Sequence, residues 1–518
     1  MENIKLLLKR FKDFWPFLGL IILIIPLLVP LFKEGMFISD DGSWMIVRLS
    51  DFHRSLVDGQ FPVRWAGRLN HEYGYPVFNF LYPGVLYLGE IIHLLGFNFI
   101  SSVKILFGLS LILSGLFTYL WLKTLFPHWS AIVGSLIYAY APYHIFDLYT
   151  RGSLGEIVAI ATVPFILWSM ERRSIFLSSL SLALLILSHN TLALLFLPII
   201  FLYGLLSKKL NTYYLLLTAL LGLVLSAFFW LPALYDQQYT VFSQIEVSKW
   251  QEFFLNAKNF YLLGWGGIFI GLFSLLILFK IREKKAFFFL GLFFISIFMT
   301  MPPANIIWQS SPLPKLVQFP WRFLSLTILA SGFLGAFIIS NLPRHVKVGT
   351  GVLIFVFFLI SSLPLLRGIK YEVKDEGFYT TNEDTTTVQK EYMPRWVKLP
   401  PLGRPQNLAE IILGEGKLDP ILQNSRRILL VTQAQTATTL KLNRIYFPGW
   451  QAKIDGVQTP ISFDNPEGLM MLNLPLGKHQ VEFFWGETPI RAFSDIISLI
   501  ALISLITWKI SKRGLKNA

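Results

Sequence analysis

The chain has 518 residues, 54% of them hydrophobic and 15% charged, with a formal net charge of +14 and no cysteine. So large an apolar share excludes an ordinary soluble globular protein and makes lipid part of the solvent. The absence of cysteine excludes a disulfide framework, a thiolate metal site and a cysteine nucleophile. The positive excess excludes a nucleic-acid surface by its location: the polar stretch from Arg367 to Arg491 has 15 Lys/Arg against 14 Asp/Glu, so the excess sits in short loops beside apolar runs.

Lys5, Lys9, Arg10 and Lys12 precede an apolar run from Trp15 to Phe32. Its end, Leu31-Phe32-Lys33-Glu34, lacks the small residues a cleavage site needs, and it reads as an uncleaved signal anchor. Apolar segments of membrane-crossing length recur from there to Ile510. The basic turns at Lys123, Arg172-Arg173, Lys208-Lys209, Lys280 to Lys285, Arg344 to Lys347 and the tail Lys509 to Lys516 fit one threading in which all are cytoplasmic. The spans expected are 14–33, 101–123, 129–148, 154–170, 174–189, 190–207, 212–233, 259–280, 286–302, 321–341, 347–366 and 493–510. The apolar segment 81–97 carries Glu90 and His93, and counting it as a span would invert every later turn, so it is expected to be juxtamembrane or re-entrant.

The fold class expected is thus a polytopic α-helical membrane protein of about 12 transmembrane helices, with a small extracytoplasmic β-sandwich-like domain. The expected organisation is a membrane domain 1–366 with its first outer loop at 34–100, a β-rich domain 367–492, and a final span with a basic tail at 493–518. It would lie in the plasma membrane with both termini cytoplasmic. Strand signals at 428–431, 438–442, 451–454, 470–474 and 480–485 are separated by Pro448-Gly449, Asp455-Gly456, Asn465 to Gly468 and Leu476-Gly477. This domain, balanced in charge, is expected to fold by itself; 367–425 shows few signals.

Residues able to carry chemistry gather on the expected outer face. Asp40 and Asp41 directly follow the first span, where a carboxylate can take a proton from a hydroxyl or hold a divalent metal. They are equally suited to a plain helix start, with Arg48 and Asp51 pairing at i,i+3. His53 follows, then Arg64-Trp65 and Tyr75 in an aromatic, Gly- and Pro-rich stretch that suits a sugar-stacking rim or an interfacial belt. Arg151 and Glu156 bracket a turn, either as a structural pair or as part of a site. The fifth and sixth spans share only 34 residues, Ser174 to Ser207, so each reaches about 25 Å at ~1.5 Å per residue and His189-Asn190 would line a cavity inside the membrane's outer edge. Trp321-Arg322 opens a span with a cation at the unfavourable end of the helix dipole, which suits anion binding or interfacial snorkelling. No His-x-His or His-Glu-x-x-His spacing and no glycine-rich phosphate loop occurs, which argues against a zinc site and a nucleotide-driven pump.

The order of Asp41, His53, Gly59-Gln60 with Arg64-Trp65, Gly74-Tyr75-Pro76 with Tyr82-Pro83, Tyr143 with Arg151 and Glu156, His189, and Phe319-Pro320-Trp321-Arg322 resembles the membrane proteins labelled 6-pyruvoyl-tetrahydropterin synthase related, over roughly residues 35–345. That family is similar to the GT-C class of glycosyltransferases. Tyr446 to Trp450, Asp455-Gly456 and Leu474 to His479 before a last span resemble the outer domain of YfhO-type proteins. The resemblance implies a GT-C-like membrane domain, a catalytic acid at Asp41 or Asp40 and a polyprenyl-phosphate-linked sugar as donor. Relatives often carry a histidine four residues after the acid, where this chain has Met45.

The function expected is transfer of that sugar to a glycan, lipid or protein acceptor on the outer face, with no nucleic-acid partner. No cofactor is fixed by the sequence; a divalent metal, if one is bound, would sit on Asp40 and Asp41. The alternative is a non-catalytic transporter, assembly factor or scaffold for envelope glycans.

Overall fold

The computed structural model describes residues 2–245, 249–278 and 281–517, with side chains from 15 to 512 apart from 243. Lys280 and the side chains of Lys5, Lys9, Arg10, Lys12, Arg513 and Lys516 lie outside the described residues.

Six helices among the described residues are long and apolar enough to cross a membrane: Trp15–Phe32, Phe99–Lys123, Leu154–Glu171, Pro320–Asn341, Arg344–Arg367 and Pro489–Lys512. Two bent pairs raise the number to 8 if each is one span. One pair bends by 67° near Ser226, whose hydroxyl turns back onto the Gly222 carbonyl at 2.9 Å. The other bends by 84° before Pro302-Pro303, where proline removes the helical donors. The 129–148 segment is likewise broken: helix His128–Ala139 stops and a new one begins at Pro142. Helices Ile175–Ser188 and Asn190–Leu206 are short, divided by His189 in an extended conformation. Segment 81–97 forms one short helix, Gly84–Leu94, whose Glu90 is buried against His53 at 2.8 Å.

Among the described residues the chain builds two larger antiparallel sheets and a small ribbon. Strands β1 (Met36–Phe37) and β2 (Tyr371–Glu372) form a separate two-stranded ribbon that ties the end of the first helix to the start of the outer segment. The remaining strands are β3 (Ala409–Leu413), β4 (Gly416–Gln423), β5 (Arg427–Ala434), β6 (Thr438–Ile445), β7 (Trp450–Ile454), β8 (Val457–Thr459), β9 (Leu469–Leu474) and β10 (Gly477–Trp485). They pair in the orders β4-β5-β10-β7-β8 and β3-β6-β9. Alternation fixes the inner faces: Ile428, Leu430, Val481 and Phe483 of one sheet meet Leu440, Leu442, Met470 and Leu472 of the other, all buried. The β7–β8 hairpin turns on Asp455-Gly456, both with positive φ, the two-residue turn that matches strand twist. Strands β3 and β4 fall where sequence signals were few, because their residues face solvent or alternate weakly.

This outer core is not closed by its own residues. Trp65, from the first outer loop, is fully buried inside it, stacked on Trp485 at 5.1 Å and edge-on to Trp450 at 5.8 Å. Phe80 joins the same cluster. Gly74, at φ +83°, lies so close under Trp65 that a Cβ would enter the indole ring.

Candidate functional site

Asp40 and Asp41 stand where the chain leaves the first helix and starts helix Gly42–Val57. Their backbone N–H groups donate to the Thr150 and Arg151 carbonyls at 3.1 and 2.8 Å, which pins the acid pair to the loop before helix Leu154–Glu171. Gly152 allows this contact: at φ +63°, it packs against Ser39 Oγ and the Gly42 nitrogen, the latter only 2.7 Å from where a Cβ would sit. Asp41 occupies the N-cap position, yet its carboxylate makes no capping bond; Gly42 N–H donates to Ser39 Oγ at 3.2 Å instead. Both carboxylates therefore remain available to a cavity of about 370 Å³.

The opposite wall is the outer segment Asp384 to Glu391, with Trp44, Arg48 and His71 beside the acids. Arg48 holds that segment through Thr386, donating from Nε to its hydroxyl at 3.1 Å and from Nη2 to its carbonyl. Tyr75 holds it too, its hydroxyl 3.0 Å from Thr387 Oγ1 and accepting the Tyr392 N–H at 2.9 Å. Burial in this wall, partly offset by Arg151 and reinforced by the neighbouring Asp41, lifts the Asp40 pKa above the ordinary aspartate value.

Behind the acid pair lies a buried ionic cluster centred on Glu156, in the first turn of its helix. Glu156 Oε1 accepts from Arg151 Nη1 at 2.6 Å and Arg322 Nε at 2.9 Å, with His189 Nε2 at 3.7 Å. Arg151 also pairs with Asp147 at 2.9 Å, and Arg322 donates to the Val317 carbonyl and Gln318. The Phe319 ring lies under both guanidinium groups, at 5.7 and 5.0 Å. Two arginines thus meet two acids, and Arg322 is committed to Glu156 at the position read as an anion site.

The other sequence candidates separate. His189 caps helix Asn190–Leu206 by accepting the Leu192 N–H at 3.2 Å and lies 4.9 Å from the Tyr82 ring, so it joins the cluster. Asn190 donates to the Phe80 carbonyl at 3.4 Å. Trp321 packs against Phe253 and Phe319. His53 pairs with Glu90 and Arg64 with Glu487 and Asp495, away from the cavity wall. Trp65 and Tyr75 are each fully buried: they form the joint between loop and outer domain instead of an exposed sugar-stacking rim. The Arg48–Asp51 pairing also fails, because Arg48 reaches Thr386 while Asp51 faces Arg68 at 3.8 Å.

Sequence reasoning named Arg48 only as a helix-start partner and Tyr82 only within the family motif, and it missed His71, Asp147 and the 384–391 wall. Arg48 had a local signal, a cation about two helical turns beyond the acid pair. For a metal, no group of three His, Cys, Asp or Glu able to hold an ion occurs among the described residues, so Asp40 and Asp41 are short of a ligand set.

The profile of a family described as "6-pyruvoyl-tetrahydropterin synthase related domain; membrane protein" matches residues 78–369, more than half of the chain. No curated protein matches. Among solved structures, the chain is similar to the arabinofuranosyltransferase AftD from Mycobacteria, with 15% identity and a TM-score of 0.47 over 68% of this chain and 27% of that one. It is also similar to the archaeal oligosaccharyltransferase AglB from Archaeoglobus fulgidus in complex with an inhibitory peptide and a dolichol-phosphate, with 12% identity and a TM-score of 0.41 over 72% of this chain and 56% of that one. The chain thus spans about a quarter of the first protein and about half of the second.

Proposed function

The chain belongs to the 6-pyruvoyl-tetrahydropterin synthase related family of membrane proteins, and on that premise we propose that it is a glycosyltransferase using a polyprenyl-phosphate-linked sugar at the outer face. The observation that carries this reading is the acid pair held against a cavity with neither carboxylate spent on a cap. The twelve-crossing threading, with both termini cytoplasmic and the β-rich domain outside, belongs to the same proposal.

In the reaction, the Asp41 carboxylate takes the proton of an acceptor hydroxyl as that oxygen bonds the anomeric carbon. The carbon–oxygen bond to the phosphate breaks on the opposite face, and the phosphate leaves with the electron pair, so configuration inverts. Charge growing on the phosphate needs a cation; Arg48, and Lys390 on the facing wall, border the cavity, whereas Arg64 does not. Arg151 fixes the acids through its backbone and, with Arg322, pairs with Glu156 behind them. In this reading the outer segment 384–391, which lines the same cavity as the acids, selects the acceptor.

Met45, buried at the position where the resemblance implies a histidine, favours a second reading, a scaffold that binds the same glycan without transfer. Sugar transfer and donor binding in reconstituted bilayers separate the two. Asp41→Asn, with Asp40→Asn added to exclude substitution by the neighbour, abolishes transfer and leaves donor binding in an enzyme; full transfer by the double variant sinks the catalytic assignment.

A further inference from the structure

A second cavity, of about 630 Å³, opens where the first helix ends against the start of helix Phe99–Lys123. Its walls are of two kinds. Leu28 and Leu31 on one side and Ile105 and Leu109 on the other form an apolar trough, and all four lie in segments long and apolar enough to cross a membrane. At one end of the trough, where the chain turns into the β1–β2 ribbon, stand Lys33, Lys104 and Lys374.

The three ammonium groups are unequally neutralised. Lys374 pairs with Glu372 at 3.3 Å. Lys104, half-buried in the second turn of its helix, donates instead to the Lys33 and Gly35 carbonyls at 2.5 and 2.9 Å. Lys33 Nζ lies 5.0 Å from the centre of the Tyr371 ring. Neither a carbonyl nor a ring face supplies an opposite charge. Glu34 is the one acid among the described residues that line the cavity, so three lysines leave it positive. A lysine that merely snorkelled from a span would extend into water. Lys104 turns across to the neighbouring chain end, which keeps its charge at the head of the trough.

These features select an amphiphile with an anionic head. A free anion would leave the trough in water, and a plain hydrocarbon would sit beside ammonium groups without giving them a counter-charge. A zwitterionic head brings a cation of its own. A diacyl phospholipid with a net negative head places its phosphate at the ends of the helices and its chains along them, and basic residues at a membrane surface attract such heads. The volume falls in the range of small-molecule sites, about 300–1,000 Å³.

We propose that this cavity binds one anionic phospholipid, with its phosphate on Lys33 and Lys104 and one acyl chain in the trough. The lipid touches the ribbon at both ends, through Gly35 before β1 and Val373 after β2. The site shares no lining residue with the acid cavity and does not rest on the transfer reading.

The test is photolabelling of the full chain in phosphatidylcholine nanodiscs that contain, at equal mole fraction, phosphatidylglycerol or phosphatidylcholine with a diazirine in one acyl chain. Adducts are counted by mass spectrometry on peptides covering 28–35 and 97–112. Phosphatidylglycerol should label them at least fivefold more than phosphatidylcholine, while helix Trp265–Leu278, with Leu272 and Leu276 exposed, takes both labels alike. Lys33→Gln/Lys104→Gln should bring the ratio to about one, and Lys33→Arg/Lys104→Arg should keep it. Equal labelling by the two lipids, or a ratio that the glutamine variant leaves unchanged, overturns the proposal. So does displacement of the label by millimolar inorganic phosphate, which would assign the lysines to a free anion. Should the double glutamine variant fail to fold, Lys33→Gln, whose side chain is exposed, decides alone by lowering the ratio at least twofold or not.

Discussion

Replacing Trp65 by alanine tests the joint between the first outer loop and the β sheets. The indole is fully buried, stacked on Trp485 and edge-on to Trp450. Truncating a buried tryptophan costs about 3–5 kcal/mol, of which each lost aromatic pair accounts for ~0.5–1.5 kcal/mol beyond area. Against a domain stability of roughly 5–15 kcal/mol, that share loosens the outer sheets from the membrane part. Pulse proteolysis in nanodiscs reads it: Trp65→Ala should raise cleavage within 409–485 by a hundredfold or more, and Trp65→Phe by less. The same reasoning applies to the excised segment 367–492, which lacks Trp65 and Phe80 and should unfold at lower denaturant than the same sheets in the full chain. A change below about 1 kcal/mol in Trp65→Ala, within the range of ordinary surface substitutions plus error, refutes the claim that the loop completes this core.

Gly152→Ala should lower transfer at least tenfold while leaving proteolysis of the outer sheets unchanged, because the methyl meets Ser39 and Gly42 at positive φ and displaces the acid pair; equal transfer would contradict the packing. The raised pKa of Asp40, in a cavity also lined by Asp41, Arg48, His71, Asp384, Lys390 and Glu391, sets the direction of pH dependence. If ionised Asp40 is needed, activity is lost as pH falls, with a midpoint above the ordinary 3.8, and Asp40→Asn removes that limb from the pH–rate profile. On the outer hairpin, Asp455 Oδ2 lies 2.6 Å from His479 Nδ1 and raises the imidazole above 6.5, while its own pKa is lowered. Any stabilisation from protonated His479 is present below 6.5 and lost as pH rises through the raised value; an NMR titration should show that midpoint, returning toward 6.5 in Asp455→Asn. For topology, the cysteine-free chain lets exposed Thr436→Cys, Arg172→Cys and Lys208→Cys be compared: an impermeant reagent should label only the first from outside intact cells.

What could be read along the chain was what short range decides. The apolar alternation of 428–431 and 480–485 lies within β5 and β10, and Asp455-Gly456 within a tight hairpin, because neighbouring residues alone set face and turn. Helix breaks at His189 and Pro302 had local causes in the sequence, but their angles depend on packing. The acid pair was visible as a position; its cavity was not, since Arg48 meets Thr386 across 338 residues and Asp41 meets the Arg151 carbonyl through a glycine that looks like any other. Trp65 misled for the same reason. An aromatic beside arginine reads as a rim residue until the distant sheets that bury it are in place.

That shared core also limits how such proteins can be recombined. The outer sheets are not a removable cap: Trp65 and Phe80 plug them from one side, and Arg491, in the last helix, grips Asp236 from another. Exchanging segment 367–492 with a relative would leave an indole without its socket and an acid without its arginine. A working chimera must therefore carry four pieces together: the loop around 60–82, the helix Ala227–Asp236, the sheets, and the helix Pro489–Asn517. The 384–391 wall, by contrast, touches the cavity without entering the outer core, so it can be exchanged by itself.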